Sequence, residues 1–485
     1  MSNSPSILNF QILKAVFAAD GWLNAALTAF CDFLWAYILI GALIVCGLYF
    51  TVRTRFVQFR MLGEMVRLLA DPAGRKHRRI SSFQAFAVSV ATRVGTGNLA
   101  GVATAIAIGG PGAVFWMWLI AIIGGATAFV ESTLAQLYKR RDGESFIGGP
   151  AYYILHGMHC RWLAVVFAVL MILTFGLSYN SIQSNTICSA MNHAFGFDNL
   201  TVGVILAAVG TFIAFGGIRR IAHVSSVLVP IMAVGYFILA LVVVVMNYDE
   251  IPDIFELIVE SAFGLEQFAG GSLGVTMMVG IKRGLFSNEA GEGSAPNVAA
   301  TAHVSHPVKQ GLVQALGVYT DTLLVCSCTA FIILISGLYT DPSLNGIALT
   351  QSALNSEIGS TGTIFVAIAI FLFAFSSIIG NYYYGEANIR FLTDKRWVVT
   401  VFRVLSGTVM VIFGAVASLE LVWSLGDVCM ALLTACNLVG IAYLGKYAFR
   451  LLDDYRRQKR AGMADPVFHA STLPDAAPDL DAWND

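Results

Sequence analysis

Apolar positions along this chain come in long unbroken blocks, without the alternation of a half-buried strand or the polar stripe of a surface helix. Crossing about 30 Å of hydrocarbon takes about 20 helical residues at about 1.5 Å each. Eleven blocks reach that length between charged or turn-like punctuation: 33–52, 83–108, 113–138, 162–190, 199–216, 219–247, 256–282, 309–337, 363–392, 397–418 and 420–449. They predict an all-α polytopic membrane protein with 11 transmembrane helices. Residues 1–32 read as an external amphipathic segment, with neither the basic region nor the cleavage site of a signal peptide. Residues 461–485, rich in Asp, Pro and Ala, read as a disordered cytoplasmic tail.

Composition agrees with a membrane environment. Of 485 residues, 57% are hydrophobic and 12% charged, against roughly 45–50% and 25% in soluble domains. With 29 Lys and Arg against 30 Asp and Glu, the formal net charge is -1 and no basic excess draws in nucleic acid. The basic residues become informative once sorted by position. They fall in the 53–82 loop, at Lys139 to Arg141 with Arg161, at Arg219 and Arg220, at Lys282, Arg283 and Lys309, at Arg390, Lys395, Arg396 and Arg403, and after the last span. Only Lys14 and Arg93 lie elsewhere. Such one-sidedness puts the N-terminus outside and the C-terminus in the cytoplasm of a plasma (bacterial inner) membrane. The eight cysteines include no C-x-x-C pair and read as small buried hydrophobes.

The second block contains Ala91-Thr92-Arg93-Val94-Gly95-Thr96-Gly97-Asn98 near its middle. A central Arg alone costs about 2.5–3.5 kcal/mol on insertion scales, so this segment is expected to unwind inside the protein. Transporters use such breaks to offer carbonyls to cations and helix N-termini to carboxylates. The seventh block supplies a second cluster, Gly264-Leu265-Glu266-Gln267-Phe268-Ala269-Gly270-Gly271-Ser272-Leu273-Gly274. Five spans start at each break, which predicts a five-plus-five inverted repeat, 83–247 and 256–449, with 33–52 as an extra N-terminal helix. The plainer alternative is that these glycines let helices pack closely.

Enzyme chemistry has no visible equipment. Gly95-Thr96-Gly97-Asn98-Leu99-Ala100 fits a dinucleotide fingerprint in letters only, because it sits in a membrane span and no acidic residue follows at the required distance. No H-E-x-x-H, P-loop or G-x-S-x-G occurs.

Several segments resemble the alanine or glycine:cation symporter family, within the amino acid-polyamine-cation superfamily. They are Val94-Gly95-Thr96-Gly97-Asn98-Leu99-Ala100-Gly101-Val102-Ala103 followed by Gly109-Gly110-Pro111-Gly112-Ala113-Val114-Phe115-Trp116-Met117-Trp118, then Gly148-Gly149-Pro150-Ala151-Tyr152-Tyr153, and then Arg283-Gly284-Leu285-Phe286-Ser287-Asn288-Glu289-Ala290-Gly291, placed after the seventh span. The likeness covers roughly residues 30–450. It implies sodium-coupled uptake of small neutral amino acids on a LeuT-like fold, with sodium as coupling ion and no cofactor. By resemblance, Asn98 matches a sodium-coordinating Asn of that fold, and a second sodium site falls to the carbonyls of Ala91 and Val94 with the hydroxyls of Ser376 and Ser377. Sodium, a hard cation, suits such neutral oxygens.

For the substrate, Thr96, Gly97 and Asn98 are expected to meet the carboxylate, and Gln183 is a candidate contact or an interhelical hydrogen bond. Gln267, Phe268, Gly270 and Gly271 would form the opposing wall, with Phe268 limiting side-chain size or merely packing. Arg93 is expected to pair with Glu131, Glu266 or Glu386, or to act as a fixed charge beside the cation. Glu386 and Arg390, four apart, can pair with each other. Asp321 and Asp427 are candidate coupling or gating groups. The reading is a secondary active transporter of alanine or glycine, working by alternating access with 346–362 as an outer lid. The alternatives are proton coupling through Glu131 or Glu266 and, in another class, a channel. Oligomeric state stays open.

Overall fold

The computed structural model describes residues 22–71, 79–143, 145–215, 217–264 and 273–483. Helix α1, Ala25–Arg53, is followed at its basic end by two short surface helices, Val57–Arg60 and Leu62–Leu69. The next helix begins in a capping box, in which Gln84 N donates to Ser81 Oγ at 3.2 Å and Ser81 N to Gln84 Oε1 at 3.1 Å. It runs as α2, Ser82–Arg93, breaks, and resumes as α3, Gly97–Gly109. Then come α4, Ala113–Leu137; a two-stranded hairpin, Arg140–Asp142 against Ser145–Ile147; a short helix, Pro150–Gly157; α5, Arg161–Phe195; α6, Asn199–Ala214; and α7, Gly217–Met246.

The second half opens with α8, Ile251–Ala262, and continues through α9, Leu273–Asn288, a break, and α10, Ala295–Ala299. It closes with α11, Val308–Ser336; α12, Gly346–Ile358; α13, Ser360–Leu392; α14, Arg396–Val416; and α15, Leu419–Arg460. Among the described residues, seven helices are long and apolar enough to cross a membrane: α1, α4, α5, α7, α11, α13 and α15. Exposed Phe212, Ile231, Val245 and Leu405 turn apolar side chains outward, as a lipid-facing surface requires.

The expected seventh span, 256–282, is not one helix. Its first part belongs to α8, too short at 12 residues to span and held against the α3–α4 corner. Gly112 N donates to Ser261 Oγ at 3.0 Å, and a Cβ on Gly112 would lie 2.3 Å from Ala262 N, so only glycine lets the two backbones meet. The cluster expected to break, 264–274, lies mostly outside the described residues, and a further break falls between Asn288 and Ala295, where Glu289, Gly291 and Gly293 all have positive φ (56°, 92° and 87°). Gln267, Phe268, Gly270 and Gly271 lie outside the described residues, as do Glu266 and residues 1–21. The expected boundary at residue 32 disappears as well, because a helix already runs from Trp22 into α1.

Lys282 and Arg283 are accordingly not loop residues. Both are buried in α9 and face Asp427 of α15, with two Arg283 nitrogens 2.9 and 2.8 Å from its carboxylate oxygens and Lys282 Nζ at 3.5 Å. Several of the other described basic residues gather at one end of the bundle. There Lys309 pairs with Asp71 at 2.7 Å, Arg390 with Asp142 at 3.4 Å and Arg450 with Asp475 at 2.7 Å.

The tail beyond Ala461 is packed, contrary to the expected disorder. Phe468 N donates to Ser305 O at 2.9 Å, and Trp483 Nε1 to Gln136 O at 3.0 Å with its ring 4.5 Å from Lys139 Nζ. Phe468, Leu473, Ala476 and Leu480 are buried. Its Asp and Pro content conceals spaced apolar anchors that find a groove on the basic end of the bundle.

Candidate functional site

Three helices widen into π-helical turns around the first break: Gly97–Gly101 of α3, Thr174–Tyr179 of α5 and Tyr319–Cys326 of α11. Each turn leaves backbone out of register and brings polar side chains to the site, among them Asn98, Tyr179 and Asp321, a recurrent arrangement at functional sites.

At the first break Val94 is extended (φ -77°, ψ 91°), which frees the amides that follow. Gly95 N donates to Asn98 Oδ1 at 2.8 Å, and Thr96 donates through both N (3.0 Å) and Oγ1 (2.7 Å) to Gln183 Oε1. A Cβ on Gly95 would stand 2.3 Å from Ser377 Oγ. Asn98 Nδ2 donates to Asp321 Oδ1 at 2.7 Å, while Asp321 Oδ2 accepts from Ser287 Oγ at 2.7 Å and Thr322 Oγ1 at 2.8 Å. A fully buried carboxylate is thus ringed by neutral donors from α3, α9 and α11, with no cation within 4.0 Å among the described residues. Its negative charge fits a small hard cation better than an empty apolar bundle.

A second oxygen cluster lies one turn back, where Ser376 Oγ and Ser377 Oγ of α13 donate to Ala91 O at 3.2 and 2.9 Å. The candidates Ala91, Ser376 and Ser377 therefore meet, and Val94 stands in the adjoining break. Carbonyl and hydroxyl oxygens at this spacing suit sodium in kind. Thr96, Gly97, Asn98 and Gln183 are likewise gathered in one buried place.

At the second break the polar groups are carboxyl side chains. Glu289 accepts from Ser294 Oγ at 2.5 Å and Thr92 Oγ1 at 3.4 Å, Glu292 from Tyr179 at 2.6 Å, and Glu131 from Gly291 N at 3.3 Å and Asn437 Nδ2 at 2.8 Å. Arg93 forms none of its expected pairs among the described residues. Its Nη1 donates to Gln314 O at 3.1 Å, its Nε and Nη2 have no partner there, and Glu386 is taken by Arg390 (2.7 Å) and Arg403. Towards the opposite end, Phe286 packs on Trp423 (ring centroids 4.7 Å) and Tyr179 (4.8 Å), and the Arg283 guanidinium lies 4.1 Å over Trp423. Helix α12 covers α3, with Thr350 Oγ1 donating to Leu99 O at 3.0 Å.

Read in order, the residues mark Asp321 as a candidate coupling or gating group and do not mark Ser287, Thr322, Phe286, Trp423 or Tyr179 for the site. The available signal was the density of Ser, Asn, Glu and Gly over residues 287–294.

Interrupted helices that meet over a buried polar centre in an apolar bundle define a membrane transport protein of LeuT-like fold. The solved structure of MhsT in complex with L-phenylalanine shares that fold, with TM-score 0.54 and 12% identity over 76% of this chain and 97% of that one. The chain belongs to the sodium:alanine symporter family, whose model matches residues 20–470. It is 54% identical to the probable sodium/glutamine symporter GlnT of Bacillus subtilis (strain 168), over 91% of this chain and 92% of that protein. It is 49% identical to the amino-acid carrier protein AlsT of the same organism, over 96% and 99%. The chain is therefore a multi-pass membrane transporter and not an enzyme.

Proposed function

We propose that the protein is a sodium-coupled symporter that carries a small neutral amino acid, alanine or glycine, into the cell by alternating access. The observation that carries this reading is the junction of Asn98, Asp321 and Ser287, which ties the first interrupted helix to the second through a buried carboxylate. One sodium belongs there. Another belongs among Ala91, Val94, Ser376 and Ser377, and the substrate lies over Thr96, Gly97 and Gln183. The two halves, each opening on an interrupted helix, work as inverted repeats. The basic end faces the cytoplasm, so the Arg283–Asp427 pair, the Phe286–Trp423 contact and α12 close the outer route.

A second substrate reading, glutamine, is favoured by the printed name of the relative at 54% identity. One assay separates the readings: uptake of labelled alanine, glycine and glutamine into proteoliposomes, with sodium, lithium and proton gradients imposed separately. Saturable, sodium-driven alanine or glycine uptake is expected. Uptake driven by a pH gradient without sodium overturns the choice of ion, and a preference for glutamine overturns the choice of substrate. Downhill flux without saturation or counterflow would make the protein a channel.

A further inference from the structure

Away from the transport site, the basic end of the bundle holds a cavity of about 600 Å³ where the end of α13, the start of α14 and the Arg140–Asp142 strand converge. Four guanidinium groups line it, those of Arg141, Arg390, Arg396 and Arg403, against two carboxylates, Asp142 and Asp394. Glu386 behind the wall holds Arg390 and Arg403 in place. Among the described residues, no acidic side chain lies within ion-pair distance of Arg396, which is exposed. The first turn of α14 adds its own positive end, because Lys395 at the N-cap supplies no side-chain acceptor.

The cavity is not a pocket in a watery surface. Arg403 lies 5.0 Å over the ring of Phe215, and Phe215 and Trp397 are exposed at the rim. From that rim the seam between α6 and α14 runs towards the bilayer with Phe212, Val404 and Leu405 turned outward. A cationic basin opening onto an apolar seam matches an amphiphile, whereas a free anion has no use for the seam.

We infer that this cavity binds the phosphate headgroup of an anionic phospholipid, with the acyl chains lying along the α6–α14 seam. Phosphate is recognised by guanidinium forks and helix N-termini whatever carries it, so the lipid must be separated from free phosphate by experiment. Native mass spectrometry of the full-length protein in detergent does this, with phosphatidylglycerol, phosphatidylcholine and inorganic phosphate offered separately. Phosphatidylglycerol should be retained about 10-fold more than phosphatidylcholine, in line with attraction of anionic lipid to several basic groups. Arg396→Gln with Arg141→Gln should abolish that preference, and Lys446→Gln, remote from the cavity, should leave it intact. Single Arg396→Gln, at an exposed side chain, should reduce it about 3-fold and serves if the double variant is unstable. Equal retention of the two lipids by the wild type, an undiminished preference in the Arg396 variants, equal loss in Lys446→Gln, or inorganic phosphate binding as tightly as phosphatidylglycerol would each overturn the assignment.

Discussion

The two interrupted helices do the same geometric job with different chemistry. Between α2 and α3 the chain leaves the helix for a single turn and uses neutral groups, with Asn98 and Gln183 taking the freed amides of Gly95 and Thr96. Between α9 and α10 it needs three residues at positive φ and encloses the carboxylates of Glu289 and Glu292. Their arginines differ in the same sense. Arg283 on α9 pairs with Asp427 through both Nη1 and Nη2, whereas Arg93 on α2 meets no carboxylate within ion-pair distance and keeps two nitrogens without partners among the described residues. The short break is lined by carbonyl, hydroxyl and amide groups, and the longer one by carboxyl groups held between glycines. The contrast predicts ligand binding at the first and scaffolding at the second.

The largest test of that contrast is Asp427→Asn. It strands the Arg283 charge in a buried setting, for which a loss of about 3–5 kcal/mol is expected, read as a fall in melting temperature of the detergent-solubilised protein. Asp427→Asn with an unchanged melting temperature would mean that the pair contributes nothing to the second helix. Next comes Asn98→Ala, which removes the acceptor for Gly95 N and a donor to Asp321. Two lost buried hydrogen bonds at about 1–3 kcal/mol each predict at least a ~30-fold drop in sodium-driven uptake. Membrane insertion should persist, since the variant adds no charge or bulk. Near-normal uptake would remove the first break from the binding site.

Gly293→Ala should act the other way round, on stability before transport. Its φ of 87° and a Cβ position 2.9 Å from Asn437 and Pro150 predict a loss of about 1–3 kcal/mol. If uptake affinity falls while the melting temperature holds, the second break binds ligand directly and the contrast fails.

The smallest effect lies outside the bilayer, at Glu64. Burial works against its charge, but hydrogen bonds from Arg67 and Tyr455, with Lys459 near by, hold its carboxyl down at about 2 instead of the ordinary 4.5. A depressed carboxyl stabilises above its unfolded value and loses that contribution as pH falls from about 4.5 towards 2. Glu64→Gln should therefore cost about 1–2 kcal/mol at pH 7 after allowance for solvent screening. The melting temperatures of variant and wild type should converge in that acid window, and a constant gap down to pH 2 would contradict the assignment.

Much of this was legible in the order of the residues. Hydropathy marked the helices, and Gly95, Gly97 and Asn98 inside an apolar block announced the first break, because polar backbone at that depth has few other uses. The break after Asn288 was not legible, for one reason. Lys282 and Arg283 look like the basic end of a span, and their neutralising partner, Asp427, lies 144 residues away on α15. An ion pair that distant leaves no mark on local hydropathy, so 256–282 reads as one span ending at its basic residues. The packed tail escaped notice for a similar reason, since Phe468 and Trp483 gain meaning only from the groove that receives them.

The sequence by itself determined that the chain lives in a membrane, that its apolar blocks are helical, and where the block 83–108 must break. These follow from local transfer energies and hydrogen-bond satisfaction, which act within a few residues. Only the tertiary structure decided which groups meet: Asp321 with Asn98 and Ser287, Ser376 and Ser377 with the Ala91 carbonyl, Arg283 with Asp427. Those contacts depend on how separate helices cross, and a buried charge is settled by whatever partner the packing delivers.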